Sequence, residues 1–331
     1  QMMVPLQALN KILPKPHPLI NCTRRCFSSS TLSLPTGFLS SITSELPHVG
    51  INQNKYDLES HGKGEGYHPV APPAAIFIPQ STDDVSKILK ACNQYKVHVI
   101  PYGAGTSVEG HVSALQKKTI SLDMREFKTI GLPDDGALDD ACIDVGAGVN
   151  RIELNEHLRY TGMQFMVDPG ADASIGGMVA CGASGTTAVK YGTMRENILG
   201  LECVLPDGTV ANCGTKALKS SAGYDLTSLM TGSEGTLGVI TNITVKLHPI
   251  PEYVMAGICT FDTVHQAAEA VATMKMCGVP VERCELLDES SVAAFRLYAD
   301  STEDGSSNNA QNVSVDKPTL FLEFTGSSEA A

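Results

Sequence analysis

Apolar and polar positions alternate along most of the chain in patterns that predict a mixture of helices and strands. Between Asp83 and Tyr95 the apolar residues recur at helical spacing, behind a polar Ser-Thr-Asp-Asp run that is typical of a helix N-terminus. The residues on the apolar face of this predicted helix are Val85, Ile88, Leu89 and Cys92. Asn150 and Glu153 have the spacing of a capping pair and predict a second helix that ends near Arg159.

Short apolar runs around these helices predict β-strands. The runs are residues 97–100, 119–124, 142–145, 201–205 and 210–213, and a β-branched run that continues to Leu247. The sequence Pro206-Asp207-Gly208 between two of them favours a hairpin turn. The resulting order of elements predicts an α/β domain from about residue 71.

The pattern changes near Pro249-Ile250-Pro251, where we place a domain boundary. Beyond it the periodicity predicts a strand, a helix, a strand, a helix and a final strand, at residues 254–261, 264–276, 281–287, 289–298 and 319–324. A polar stretch over 300–317 predicts a surface loop. Residues 251–331 are therefore expected to form the incomplete beginning of an α+β domain.

Composition narrows the classes of partner. The 24 basic residues are outnumbered by 36 acidic ones, which argues against nucleic acid or an anionic membrane surface as a partner. No apolar run is long enough to predict a transmembrane segment. The ten cysteines include no Cys-x-x-Cys pair, and the nine histidines show no metal-ligand spacing, so we expect reduced thiols and no metal site in these residues.

The first 44 residues differ from the rest of the chain. They are basic, rich in Ser and Thr, and contain no acidic residue before Glu45. This composition is typical of a mitochondrial transit peptide, and Arg25-Cys26-Phe27-Ser28 resembles a processing site with cleavage after Phe27. The alternative is a disordered arm without a targeting role. Residues 45–70 are then expected to form an N-terminal arm that leads into the domain at 71–250.

Three glycine-rich stretches carry the strongest functional signal. The first is Gly103-Ala104-Gly105-Thr106-Ser107 after an apolar strand, the second spans residues 167–186, and the third spans residues 231–241. Glycine lets the main chain approach a ligand closely, and consecutive N–H groups in such a loop can hold an anion. Tight turns alone are the alternative. Val108 stands where a nicotinamide fingerprint needs its third glycine, which disfavours a Rossmann dehydrogenase.

Together with Tyr191-Gly192-Thr193-Met194-Arg195 and Leu205-Pro206-Asp207-Gly208, these stretches resemble the flavin domain of FAD-dependent 2-hydroxy-acid dehydrogenases. These enzymes have a PCMH-type, vanillyl-alcohol-oxidase-like FAD-binding domain followed by an α+β cap domain, and we expect that fold class here. The resemblance covers residues 70–250 closely. Gly182-Ala183-Ser184-Gly185-Thr186 is most similar to the mitochondrial, cytochrome-reducing D-lactate dehydrogenase branch.

The resemblance implies non-covalent FAD and assigns its contacts. The first stretch would bind the pyrophosphate, and the start of the second would follow the ribityl and dimethylbenzene side. Residues 182–185, with Tyr191 and Gly192, would pass beneath the isoalloxazine, and the third stretch would close the adenine end. The expected cofactor-binding residues are Pro101, Tyr102, Gly103, Ala104, Gly105, Thr106, Ser107, Glu109, Gly110, Asp168, Pro169, Gly170, Ala173, Ser174, Gly176, Gly177, Gly182, Ala183, Ser184, Gly185, Tyr191, Gly192, Glu234, Gly235, Gly238 and Ile240.

Four further residues have competing interpretations. His111 could attach flavin covalently, as loop histidines do in some members of the superfamily, but a hydrogen-bonding role at the loop exit is favoured. Arg195 is expected to pair with a carboxylate or with the surroundings of the cofactor rather than act in catalysis. Asp172 is expected to stabilise a turn, and Arg283 to be a solvated or paired charge at a strand edge.

The activity that the resemblance implies is oxidation of D-lactate to pyruvate, with electrons passed to cytochrome c in the mitochondrion. The alternatives are another D-2-hydroxy acid as substrate, either glycolate or D-2-hydroxyglutarate, or a flavin-binding fragment without catalysis. The resemblance also implies that the catalytic residues, including an arginine for the substrate carboxylate, and a divalent metal site lie beyond Ala331. We therefore expect these residues to bind FAD with little turnover.

Overall fold

The computed structural model describes residues 34–131, 138, 140–301 and 317–327, which fall into two compact units. We call residues 34–185 and 191–250 the large unit, and residues 186–190 and 251–327 the small unit, in each case meaning the described residues. Within the described residues the chain thus passes between the units after residues 185, 190 and 250, and only the passage near residue 250 was expected from the sequence.

The elements follow in chain order. They are α1 (Phe38–Glu45), β1 (Gly50–Asn52), α2 (Lys55–His61), β2 (Ala75–Ile78), α3 (Thr82–Tyr95), β3 (His98–Tyr102), β4 (Thr119–Asp123), β5 (Cys142–Gly146), α4 (Arg151–Leu158), β6 (Met163–Gln164), α5 (Ile175–Cys181), α6 (Ala188–Tyr191), a 3-10 helix (Met194–Asn197), β7 (Ile198–Val204), β8 (Val210–Gly214), α7 (Leu226–Met230), β9 (Val239–Lys246), β10 (His248–Pro249), β11 (Tyr253–Thr260), α8 (Val264–Met276), β12 (Val281–Leu287), α9 (Glu289–Ser301) and β13 (Thr319–Gly326).

The large unit contains two four-stranded sheets. The first has the order β1-β2-β4-β3, in which β1 is antiparallel to β2 and the other pairs are parallel. The second has the order β5-β9-β7-β8 with antiparallel pairing throughout, and β10 pairs with β6 separately. This mixed architecture confirms the predicted fold class.

Local sequence signals explain the boundaries of several elements. The hydroxyl of Ser81 accepts from the N–H of Asp84, whose carboxylate accepts from Ser81 in return, so a capping box begins α3. The predicted pair of Asn150 and Glu153 forms a second capping box at α4. The predicted hairpin at 206–208 joins the antiparallel strands β7 and β8.

The end of the segment 1–44, expected to be a transit peptide or a disordered arm, is folded where the structure describes it. Helix α1 begins in this segment, and its residues Phe38 and Ile42 are fully buried in the core of the large unit. The ring of Phe38 lies 5.9 Å from that of Phe77 and 5.6 Å from that of Tyr95. Removal of all 44 residues would therefore take Phe38 and Ile42 out of the core, so a removable segment has to end before Phe38. The expected cleavage site after Phe27 lies outside the described residues.

The small unit has a three-stranded antiparallel sheet in the order β11-β13-β12. Its strands and α8 occur where the sequence predicts them, and Ala267, Val281, Leu320 and Leu322 form a small core. Most of the loop expected over 300–317 lies outside the described residues. Within the described part of the chain, no helix combines the length and the hydropathy needed to cross a bilayer.

Candidate cofactor site

The three glycine-rich stretches meet in one cleft of the large unit, with a volume of about 290 Å³. The end of β3 and the loop after it contribute residues 101–108, and the stretch leading into and through α5 contributes residues from 169 to 183. The loop before β9 and the start of that strand contribute residues from 234 to 240. Residues far apart in the sequence are thus brought to a common surface whose walls are largely main chain and small side chains.

Most of the expected cofactor residues line this cleft. Those that do are Pro101, Tyr102, Gly103, Ala104, Gly105, Thr106, Ser107, Pro169, Gly170, Ala173, Ser174, Gly176, Gly177, Ala183, Glu234, Gly235, Gly238 and Ile240. Those outside its lining are Glu109, Gly110, Asp168, Gly182, Ser184, Gly185, Tyr191 and Gly192. The cleft therefore joins the segments expected at the pyrophosphate and adenine ends, whereas the segment expected beneath the isoalloxazine contributes only Ala183.

Two glycines are required by close packing at the cleft. A Cβ atom on Gly103 would overlap the hydroxyl of Ser174, and one on Gly176 would lie 2.8 Å from the carbonyl oxygen of Ala147. Ser174 in turn caps α5, because its hydroxyl accepts from the N–H of Gly177 at 3.3 Å. The loop after β3 consequently fits against Ser174 only without a side chain at residue 103, and α5 fits against Ala147 only without one at residue 176.

The loop after β3 presents main-chain donors. Within the described part of the chain, none of the N–H groups of residues 103–107 donates a hydrogen bond to another protein group. Five successive N–H groups without a protein acceptor, in a loop that contains glycine at positive φ (Gly105, +71°), form the kind of concave surface that holds an anion. The hydroxyls of Thr106 and Ser107 add two further polar groups to the same lining.

His111 lies at the exit of this loop, as expected for a hydrogen-bonding residue. Its Nδ1 atom lies 3.5 Å from the hydroxyl of Ser107 and 3.7 Å from a carboxylate oxygen of Glu234. Its Nε2 atom lies 3.8 Å from the sulfur of Cys181, which is exposed and also lines the cleft. The ring therefore links the loop after β3 with the end of α5 and the loop before β9.

A cluster of Asp123, His61 and Arg125, of which the first two are buried, packs against Tyr102 at the start of the loop after β3. The Asp123 carboxylate accepts from the Arg125 guanidinium at 2.5 Å and lies 3.2 Å from Nε2 of His61, whose Nδ1 lies 2.9 Å from the carbonyl oxygen of Asp57. The His61 ring packs 4.0 Å from the ring of Tyr102, and the Arg125 guanidinium lies 5.7 Å from the same ring. Tyr102, the last residue of β3, is thus held between two partners of one carboxylate.

This cluster predicts a stability change in acid. Burial raises the pKa of the Asp123 carboxyl, but the hydrogen bonds from His61 and Arg125 outweigh it and bring the pKa to about 2, from an ordinary value of 3.8. A depressed pKa contributes stability that is present above about pH 4 and is lost as the pH falls towards 2. We expect the free energy of unfolding to fall between pH 4 and pH 2 less steeply in Asp123→Asn than in the parent, as measured by urea unfolding at each pH; equal slopes would contradict it.

Arg195 binds main-chain carbonyl groups. The expected partner was a carboxylate or the surroundings of the cofactor, but its guanidinium donates to the carbonyl oxygens of Ser228 at 2.5 Å and Thr231 at 3.1 Å. Arg195 therefore closes the end of α7, where unpaired carbonyl groups favour a cation. That role leaves no local trace in the sequence, because it joins residues more than thirty positions apart.

Asp172 and Arg283 behave closer to expectation. The Asp172 carboxylate accepts from the side-chain amide of Asn150 at 3.3 Å, and Arg283 on the edge strand β12 pairs with Glu323 at 2.9 Å. Across the described residues, no group of three or more His, Cys, Asp or Glu side chains has an arrangement that could hold a metal ion.

The apolar part of the cleft was not predicted from the sequence. Val112, Met124, Ala147, Met178 and Ala180 line it beside the glycines. Met124 and Met178 are also buried, at 4% and 1% exposure, so in the sequence they cannot be told from ordinary core residues. They add apolar groups to a lining that otherwise consists mainly of main chain and small side chains.

Comparison with known families agrees with this geometry. A family model described as an FAD binding domain matches residues 73–214, and one described as the C-terminal domain of FAD linked oxidases matches residues 250–331. The chain therefore combines the two kinds of domain that these models describe, an FAD binding domain and a C-terminal domain of FAD linked oxidases. The first match contains the loop after β3 and all of α5, and therefore two of the three segments that form the cleft.

Curated relatives share much of the sequence. "Probable D-lactate dehydrogenase, mitochondrial" of Danio rerio is 40% identical over 95% of the chain and 60% of its own length. "D-lactate dehydrogenase [cytochrome], mitochondrial" of Arabidopsis thaliana is 45% identical over 80% of the chain and 45% of its own length. "Glycolate oxidase subunit GlcD" of Bacillus subtilis is 30% identical over 69% of the chain and 48% of its own length. The chain spans about half the length of these relatives.

Solved structures share the fold of the chain. An alkyldihydroxyacetonephosphate synthase superimposes with a TM-score of 0.72 over 87% of the chain and 55% of its own length, at 23% identity. A Physcomitrella patens BBE-like 1 protein superimposes with a TM-score of 0.64 over 88% of the chain and 57% of its own length, at 16% identity. At these identities the likeness establishes the fold alone.

Proposed function

We propose that the chain binds FAD non-covalently in the cleft of the large unit. The observation that carries the proposal is the row of five N–H groups at residues 103–107, which donate to no protein group and lie in a loop of the matched FAD-binding domain. A pyrophosphate is the anion that such a row suits, even in an acidic protein, because main-chain dipoles supply the positive potential.

Within this proposal we assign the parts of the cofactor as the family resemblance implies. The pyrophosphate lies along residues 103–107, and residues 234–240 close the adenine end; the lining of the cleft by both segments supports this assignment. Residues 169–177 follow the ribityl side, where open space beside Gly170 leaves room for the chain of the cofactor. Residues 71–250 serve as the FAD-binding domain and residues from 251 as the start of the cap domain.

For the whole protein we propose oxidation of D-lactate to pyruvate, with electrons passed to cytochrome c. The support is the set of relatives named as mitochondrial D-lactate dehydrogenases. FAD, when bound, supplies the two-electron oxidation chemistry that no side chain provides. The residues that hold substrate, together with a divalent metal, belong in this proposal to the part of the relatives that the chain does not span, and the same relatives support a mitochondrial location.

A second candidate is oxidation of glycolate, because the glycolate oxidase subunit covers 69% of the chain at 30% identity. A full-length version of the protein, reduced in the absence of oxygen by D-lactate, glycolate or D-2-hydroxyglutarate in turn, separates these substrates. Bleaching of the flavin band by D-lactate at the lowest concentration supports the first proposal. A stronger response to either of the other acids would replace it.

The binding proposal is tested directly with the 331-residue chain. The purified chain, incubated with FAD and separated from free cofactor, is expected to show the visible absorption bands of a bound flavin, and trichloroacetic acid should release all of the flavin into the supernatant. A colourless protein would overturn the proposal, and flavin that stays with the precipitate would overturn its non-covalent character.

Cys181 provides a local test of where FAD binds. This thiol is exposed and lines the cleft, so we expect bound FAD to slow its alkylation by about tenfold or more, since only molecules with an empty cleft react. Burial raises the pKa of Cys181, and the labelling is therefore done at pH 8.5 and followed by mass spectrometry. Cys277, exposed in the small unit, is the control and should react at the same rate with and without FAD.

A further inference from the structure

The segment of residues 186–190 belongs to a different unit from the residues on either side of it. Gly185 and Tyr191 are part of the large unit, whereas the five residues between them belong to the small unit with residues 251–327. We call residues 186–190 the crossing segment. Each of its ends is joined by one peptide bond to the large unit, so its position cannot change without moving its neighbours there.

Ionic and polar contacts hold the crossing segment within the small unit. The ammonium group of Lys190 lies 2.8 Å from a carboxylate oxygen of Glu282 and 2.8 Å from the hydroxyl of Thr325, and that hydroxyl donates to the same carboxylate oxygen at 2.7 Å. The Glu282 side chain is only 2% exposed. A buried carboxylate is costly without a cation, and this one therefore fixes the position of Lys190 strongly.

Two other small-unit side chains bind the remainder of the crossing segment. Arg283 donates to the hydroxyl of Thr186 at 2.7 Å, and Lys275 donates to the carbonyl oxygen of Val189 at 2.7 Å. The side chain of Val189 packs against the core of the small unit. The crossing segment is thus held to the small unit at both of its ends, by Arg283 at Thr186 and by Glu282 at Lys190.

The flanks of the crossing segment are fixed in the large unit beside the cleft. Gly185 packs so closely on the main chain of Asp168 that a Cβ atom there would overlap it, and Asp168 precedes the cleft residue Pro169. Ala183 lines the cleft, and its carbonyl oxygen accepts from the N–H of Met194 at 2.9 Å. On the other side, the carbonyl oxygen of Tyr191 accepts from the Asn197 amide at 2.8 Å.

We propose that Glu282 and Lys190 are positioning residues for the cofactor cleft. Their ion pair sets where the crossing segment is anchored, and through Ala183 and Gly185 it sets the wall of the cleft formed by residues 169, 170 and 183. Neither residue lines the cleft, so the effect reaches the cofactor through the main chain alone. The proposal rests on FAD binding in the cleft, as proposed above.

The test is Glu282→Gln in the 331-residue chain, which removes the charge and keeps the size of the side chain. We expect the dissociation constant for FAD, measured by quenching of flavin fluorescence, to rise by at least about threefold, the scale of coupling between sites that do not touch. Hydrogen exchange should speed up in residues 183–195. Asp262→Asn is the matched control, because it removes a carboxylate from an exposed ion pair with Lys317 in the same unit and should leave FAD affinity unchanged.

A second variant separates positioning from loss of folding. The double variant Lys190→Met, Glu282→Gln removes both charges, which spares the fold the uncompensated ammonium group. We expect its thermal midpoint to return towards that of the parent while its affinity for FAD stays weak. An FAD affinity within about twofold of the parent in the double variant would overturn the inference, whereas failure of the parent itself to bind FAD would overturn the proposed function.

Discussion

Gly103→Val should abolish retention of FAD. A Cβ atom at residue 103 would overlap the hydroxyl of Ser174, and the two further methyl groups of valine would enter the row of N–H groups at 103–107. The loop then either moves away from α5 or loses its free donors. We expect affinity for FAD to fall by at least about a hundredfold, which corresponds to roughly 3 kcal/mol of binding free energy, measured by fluorescence quenching.

The matched control is Gly257→Val in β11 of the small unit. A Cβ atom at residue 257 meets only the Phe324 ring, at 3.9 Å, and its φ lies in the ordinary range, so the same exchange should be tolerated there. Both variants should keep the circular dichroism of the parent. Tight FAD binding by Gly103→Val would exclude the loop after β3 as the pyrophosphate site.

Asp123→Ala should destabilise the large unit by about 2 kcal/mol, because it leaves the buried His61 ring without its carboxylate partner and also removes the acceptor of the more exposed Arg125. The side chain of Asp123 is 4% exposed, so water does not replace the lost acceptor well. Urea unfolding at pH 7 measures the loss.

The control for Asp123 is Asp83→Ala in the same unit. Asp83 pairs with Lys87 at 2.6 Å, but the two side chains are 69% and 36% exposed, and the expected cost is below about 1 kcal/mol. Equal losses in the two variants would show that the cluster around Tyr102 contributes no more to stability than an ordinary surface pair.

The elements that could be predicted from the sequence are those whose cause is local. The capping boxes at Ser81 and Asn150 and the turn at 206–208 depend on residues three or four positions apart, and the structure confirms them. The glycines of the cleft were visible for a similar reason, since close approach of the main chain leaves a direct mark on composition.

The features that could not be predicted depend on contacts between distant residues. His61 and Asp123 are 62 positions apart, and Lys190 and Glu282 are 92 positions apart. Met124 and Met178 line the cleft with side chains that the sequence cannot distinguish from core residues. The burial of Phe38 was missed because the basic, Ser-rich composition before it suggested a leader, whereas one aromatic residue decides the packing of α1.

The crossing segment also has a consequence for how the chain is made. Lys190 and Thr325 are 135 positions apart, and at about 5–20 residues per second the ribosome needs roughly ten seconds or more to travel between them. In the later part of that interval, once Ile240 has been made, every residue that lines the large unit's cleft is present in the chain, but Thr325 is not yet available to Lys190. If the ion pair positions the cleft as proposed above, a chain that ends before β13 is expected to bind FAD more weakly than the 331-residue chain.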